Sequence, residues 1–145
     1  MPDDAKTITR DLDAAWAYAH EYYGGGEVIR DFELLAKYRP EVFCGYIGLR
    51  QAAFNTGSGA ALEPKLKELI ILAIEVARTK TNPPPVGHAR HAIDSGATPA
   101  EVAEVLSLCI LIGGMLTYQE SGRQALRAAE ERYAELHPEA AGAAS

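Results

Sequence analysis

The sequence predicts an all-α protein of about six to seven helices, and three observations carry that prediction. Apolar residues recur at i, i+3 and i+4 along most of the chain. The strict alternation that marks a half-buried strand is scarce. The joints between periodic segments carry helix punctuation, with glycine clusters at ends and prolines at first turns.

The first helix is expected over about Asp4–Tyr23, with Leu12, Ala15, Trp16 and Ala19 on one side. Gly24-Gly25-Gly26 ends it, because consecutive glycines lose too much conformational freedom to stay helical. A second helix, about Glu27–Tyr38, stops before Pro40, which forces the preceding residue out of the α region. Pro40 suits the first turn of a third helix carrying Phe43, Tyr46, Ile47 and Phe54 at helical spacing. Asn55–Gly59 reads as a loop.

Pro64 opens a fourth helix with Leu66, Leu69, Ile70, Ala73, Ile74 and Ala77 as one stripe, expected to face the core. Ile71, Leu72 and Val76 make it apolar almost all round. A fifth helix is expected from about Val86 to Asp94, ending at Gly96. Thr98-Pro99-Ala100-Glu101 is a capping box with proline at the first helical position, and starts a sixth helix. Its Val102, Val105, Leu106, Cys109 and Ile110 share a face, with Leu108, Leu111 and Ile112 on others. Gly113-Gly114 breaks it before a last helix, about Met115–Leu136. The segment 139–145 is small and polar enough to fray.

At 145 residues with 48% hydrophobic content, residues 1–138 are expected to form one packed helical domain. Fourteen basic against twenty acidic side chains give a net charge of −6, with no basic stripe, so nucleic acid is not an expected partner. No apolar run approaches the roughly 20 residues needed to span a bilayer. The acidic start Met1-Pro2-Asp3-Asp4 lacks the features of a secretory signal, so no membrane and a cytoplasmic location are expected. Cys44 and Cys109 lie far apart in buried-helix segments and do not read as a disulfide framework. Two helices apolar on most faces carry more hydrophobic surface than a domain of this size hides, which predicts a homo-oligomer.

From Pro64 to about Gly114 the chain resembles the carboxymuconolactone decarboxylase and alkylhydroperoxidase D-like family. The matching residues are Lys67-Glu68-Leu69-Ile70, Leu72-Ala73-Ile74, His88-Ala89-Arg90-His91-Ala92, Gly96–Val102 and Gly113-Gly114. The resemblance implies an all-helical fold assembled as a homotrimer or homohexamer. The family's peroxidase-like branch has a Cys-x-x-Cys pair whose second cysteine lies four residues before the histidine. Here those positions are Thr81 and Pro84, so disulfide-based peroxide reduction by that route is excluded. The decarboxylase-like branch lacks the pair and keeps histidine-x-arginine, as here, although its loop acids are replaced by Asn82 and three prolines. The separation of Glu68 from His88 is one residue longer than the family pattern.

His88 is the first candidate for catalysis. It falls in the first turn of a helix, where free amides disfavour imidazolium, and a neutral histidine can shuttle a proton. The structural alternative is a histidine that only hydrogen-bonds across a helix contact. Glu68, an acid between aliphatics and on the side of Glu75, is a second candidate, for proton relay; an ion pair with Lys65 or Arg78 is the alternative. Arg90 can grip a carboxylate through two parallel hydrogen bonds, but it points about 200° around the helix from His88, which favours a salt bridge. His91 shares a face with His88 at i, i+3, yet no third ligand has convincing spacing, so no metal is expected. Tyr46 and Tyr118 can line a pocket or belong to the core.

The resemblance and these residues together predict a cofactor-free lyase or isomerase. It would act on a small carboxylated lactone or ring-derived metabolite in aromatic compound catabolism. His88 and Glu68 would be catalytic, and Arg90, His91 and Tyr46 would bind substrate. The alternative expectation is an inactive oligomeric binding or accessory protein on the same scaffold.

Overall fold

The computed structural model describes residues 11–54, 57, 59–78 and 85–139. Every regular element among them is helical. The chain divides into two compact units, residues 1–58 and 59–145.

The first unit holds α1 (Leu12–Tyr23), α2 (Glu27–Tyr38) and α3 (Pro40–Ala53). Asp11 caps α1 by accepting from the amides of Asp13 and Ala14, meeting two of the donors a helix start leaves open. The expected residues 4–10 of this helix lie outside the described residues. Ala15 and Ala19 of α1, Ile29 of α2, and Phe43, Cys44 and Ile47 of α3 form the buried centre. Aromatic rings close around it, with Trp16 4.4 Å and Phe32 5.4 Å from Phe43.

The second unit comprises α4 (Pro64–Ala77), α5 (Val86–Asp94), α6 (Pro99–Gly113), a single turn α7 (Met115–Thr117), a π-helical segment (Tyr118–Gly122) and α8 (Arg123–Leu136). Its core joins Leu69, Leu72 and Val76 of α4 to Ala89, Ala92 and Ile93 of α5. Val102, Leu106 and Cys109 of α6 and Ala125 and Ala129 of α8 complete it. Alanines on α5 and α8 let these helices approach closely, so the short α5 is clasped between α4 and α8. Gly96 follows α5 with φ +96°, and the amides of Gly96 and Ala97 return to the carbonyls of Ile93 and Ala92. This is a Schellman ending, which needs a residue tolerant of the left-handed region. The capping box stands as expected: Thr98 Oγ1 accepts from the Glu101 amide at 3.2 Å, and Glu101 accepts from the Thr98 amide at 2.8 Å.

Two expectations change. The inward face of α4 is Glu68, Leu69, Leu72 and Val76, whereas Leu66, Ile70 and Ile74 are exposed. On a helix apolar nearly all round, periodicity cannot choose the buried side; the neighbouring helices choose it. The expected last helix is also interrupted, because Tyr118–Gly122 winds as a π segment. Within the expected tail, residues 140–145 lie outside the described residues.

Candidate functional site

The site is assembled by two successive helices. Pro64 sits at the start of α4, and Lys65 anchors that end to Glu101 at 2.9 Å. One turn further on, Glu68 turns inward beside Leu69 and Leu72. Pro85 forms the N-terminal boundary of α5, and His88 follows within its first turn. This places the His88 ring against the flank of α4, where Nδ1 lies 2.7 Å from Glu68 Oε2. Nε2 faces Glu75 Oε1 at 3.8 Å, too far for a direct hydrogen bond. The Glu68 side chain is 4% exposed and that of His88 16%, so the pair is enclosed but the ring keeps an opening to solvent.

The geometry constrains the chemistry. A carboxylate accepting at Nδ1 requires the ring proton there, which leaves the lone pair of a neutral ring on Nε2. Glu75 Oε2 is enclosed and has no hydrogen-bond partner among the described residues. Two acceptors, Nε2 and the Glu75 carboxylate, thus face one small space. A proton on Nε2, or a donor on a bound molecule, would satisfy both. Beside the ring, Gly87 is exposed, and a Cβ placed there would meet nothing within 4 Å. Among the described residues no side chain caps the start of α5.

The other expected site residues have the following partners. Arg90 Nη2 donates to both carboxylate oxygens of Glu135, at 2.8 and 3.2 Å. Arg132 bonds Glu135 at 2.8 Å and Asp94 at 2.6 Å, and His91 Nδ1 lies 3.9 Å from Asp94. These residues form a polar chain joining α5 to α8. Arg132, and secondly Arg90, hold the Glu135 carboxyl below its usual range. His88 turns to α4 while Arg90 turns to α8, as their 200° separation requires. Tyr46 belongs to the first unit, its hydroxyl 3.1 Å from that of Tyr23. Tyr118 packs against the core of the second unit.

Both cysteines are free and buried. Burial pushes the Cys109 thiol up, and its Sγ donates to the Ala73 carbonyl at 3.7 Å. Thr81 and Pro84 lie outside the described residues. Among the described residues no group of three or more His, Cys, Asp or Glu is arranged to hold a metal ion, and no helix is long and apolar enough to cross a membrane.

Glu75 is the member of the site that sequence reasoning did not propose. The signal was its position seven residues after Glu68, which returns within about 20° of the same helix face.

The sequence matches the carboxymuconolactone decarboxylase family over residues 40–131. A crystal structure of a protein from Burkholderia xenovorans LB400, assigned as a carboxymuconolactone decarboxylase, superimposes with a TM-score of 0.75 at 30% identity. The similarity covers 88% of this chain and 95% of that one. No curated protein matches the sequence.

Proposed function

This chain belongs to the carboxymuconolactone decarboxylase family, and on that premise we propose that it is a cofactor-free lyase or isomerase for a small carboxylated lactone or ring-derived metabolite. The observation that carries the reading is the 2.7 Å contact between His88 Nδ1 and the enclosed Glu68 carboxylate. That contact directs the working nitrogen, Nε2, toward the solvent-reachable space before Glu75.

In the forward reaction the bond between the substrate carboxylate and its neighbouring carbon breaks, and CO2 departs. The electron pair passes into the adjacent carbonyl or ring as an enolate. His88 Nε2, which first takes up a proton from solvent, then delivers that proton to carbon, and the ring returns to its neutral form. Glu68 holds the ring in orientation and tautomer, and the uncapped amides opening α5 favour the developing negative charge. General acid catalysis of this kind contributes roughly 10²- to 10⁴-fold.

The test is CO2 release from a panel of carboxylated lactones, beginning with carboxymuconolactone, by the parent protein and His88→Ala. Turnover by the parent and its loss in the variant is the expected outcome; equal rates would refute the assignment.

One observation favours the second reading, an inactive binding protein on the same scaffold: Arg90, the expected carboxylate grip, is taken up by Glu135. Under that reading no member of the panel is turned over.

We also infer a homo-oligomer, a trimer or hexamer, in a cytoplasmic setting of aromatic compound breakdown. Support comes from the exposed Leu108, Leu111, Ile112, Met115 and Leu116 at the end of α6 and in α7, with Leu111 77% and Ile112 85% exposed.

A further inference from the structure

A different site lies in the first unit and rests on none of the chemistry above. Arg50, on the inward side of α3, is 7% exposed. Its guanidinium carbon stands 3.7 Å from the ring centre of Tyr22, 4.4 Å from Phe54 and 5.2 Å from Tyr23. Guanidinium remains charged in proteins, so burial cannot be relieved by loss of a proton. A buried charge needs a partner. Four other cations among the described residues have one: Arg39 pairs with Glu41, Lys65 with Glu101, Arg90 with Glu135 and Arg132 with Asp94. None of the ion pairs among the described residues includes Arg50.

The aromatic rings answer only half of the requirement. A ring attracts the cation through its π face, while the N–H bonds of guanidinium lie in its own plane and need acceptors along the edge. Arg50 Nε and Nη2 are both enclosed, and among the described residues both lack a hydrogen-bond partner. These two atoms are the parallel donors of one edge of the fork, the arrangement that a planar carboxylate matches with its two oxygens. Two phenols stand nearby: Tyr23 and Tyr46 share one hydrogen bond at 3.1 Å, which uses one hydroxyl proton and leaves the other to donate. Burial, then the bond to Tyr46, push the Tyr23 hydroxyl up against the opposing pull of Arg50, so it stays protonated as a donor.

We propose that the Nε–Nη2 edge of Arg50, walled by Tyr22, Tyr23 and Phe54, binds the carboxylate of a small organic acid. The single positive charge, the orphaned planar fork and the aromatic walls select a monocarboxylate over a bulkier, more highly charged anion such as phosphate. Because the edge is enclosed, a wall must move to admit the ligand. Phe54, one residue past the end of α3, is the wall assigned to that movement.

The test follows the arginine Nε–Hε signals of the intact protein by two-dimensional ¹H–¹⁵N spectroscopy during titration with benzoate. Benzamide and inorganic phosphate are titrated in parallel. One signal is expected to move saturably with benzoate and to stay in place with the other two. Its absence in Arg50→Met or Arg50→Lys identifies it, and calorimetric benzoate affinity falls at least tenfold in both variants. If neither variant folds, the signal is assigned through the carbons of its own side chain.

Three results overturn the proposal: no Nε signal responding to benzoate, an equal response to benzamide or phosphate, or benzoate affinity unchanged in a folded variant. A fourth also does so: an Arg50 signal that follows protein concentration instead, which makes the acceptor a carboxylate of a second copy. The Arg50 signal and CO2 release are read by different measurements, so this proposal and the proposed lyase reaction fail separately.

Discussion

Glu68 and Glu75 stand two turns apart on α4, and each faces a different nitrogen of the His88 ring. One distance is a strong hydrogen bond and the other a gap. That asymmetry divides their roles: Glu68 sets the ring's orientation, and Glu75 shares the space into which the free nitrogen points.

Substitution at the two acids therefore has different consequences. Glu68→Gln keeps an acceptor for Nδ1 but loses its charge, and a roughly 10- to 100-fold fall in turnover is expected, as for other residues that orient a working histidine. His88→Ala removes the proton carrier and costs about 10²- to 10⁴-fold. Turnover of the parent and the two variants on a substrate found in the panel checks both.

The capping box supports the start of α6. Thr98→Ala is expected to lower unfolding free energy by about 1 kcal/mol. Because Thr98 and Glu101 serve each other, the double alanine variant should lose less than the sum of the two single losses. Urea denaturation of the four proteins measures this directly.

The buried side of α4 can be tested by truncation. Leu72 is fully buried, and Leu72→Ala should cost about 2–5 kcal/mol. Ile74→Ala, on the exposed side, should cost under about 0.5 kcal/mol in a monomer. In an assembly that covers this side, its cost would grow and depend on protein concentration, which denaturation at several concentrations reveals.

Stability should fall on both flanks of neutral pH. Glu101 and Glu135 are held below the ordinary 4.5 by hydrogen bonds from Lys65 and from Arg132 and Arg90 respectively. Their contributions are complete above pH 4.5 and are lost as pH falls through the lowered folded values. Lys65 is raised above 10.5 by Glu101, so its contribution is complete below 10.5 and is lost as pH climbs through the raised value. Glu135→Gln should flatten the acid limb of the urea midpoint against pH, and Lys65→Met the alkaline limb.

Thiol chemistry should be slow in the native state. Cys109 is buried, with its thiol pushed up by that burial. At pH 8 Ellman's reagent should label it only as fast as the protein opens, and promptly in denaturant. Prompt native labelling would show an accessible thiolate.

The helical class, most element boundaries and the box before α6 were legible in the sequence because they rest on local rules: period, proline, glycine and capping. The pairing of Glu68 with His88 was partly legible, since each was a candidate, but nothing local states that they meet. The inward side of α4 was not legible. Leu66, Ile70 and Ile74 look as suited to a core as Leu69, Leu72 and Val76, and only the presence of α5 and α6 decides between them. Arg50 went unnoticed because it is a lone basic residue among the mostly apolar and small residues of its helix, and its aromatic enclosure draws on α1 as well as α3.

The π winding at Tyr118–Gly122 accommodates one surplus residue without altering which sides of the flanking helical turns point inward. Ser121 and Gly122 are both buried there. A surplus residue is therefore absorbed within this segment while the helix downstream holds its orientation. A single deletion within Arg123–Leu136 has no such absorber. It would swing the residues that follow the cut by about 100°, and a cut before Ala125 would turn Ala125, Ala128 and Ala129 and carry Arg132 away from Asp94.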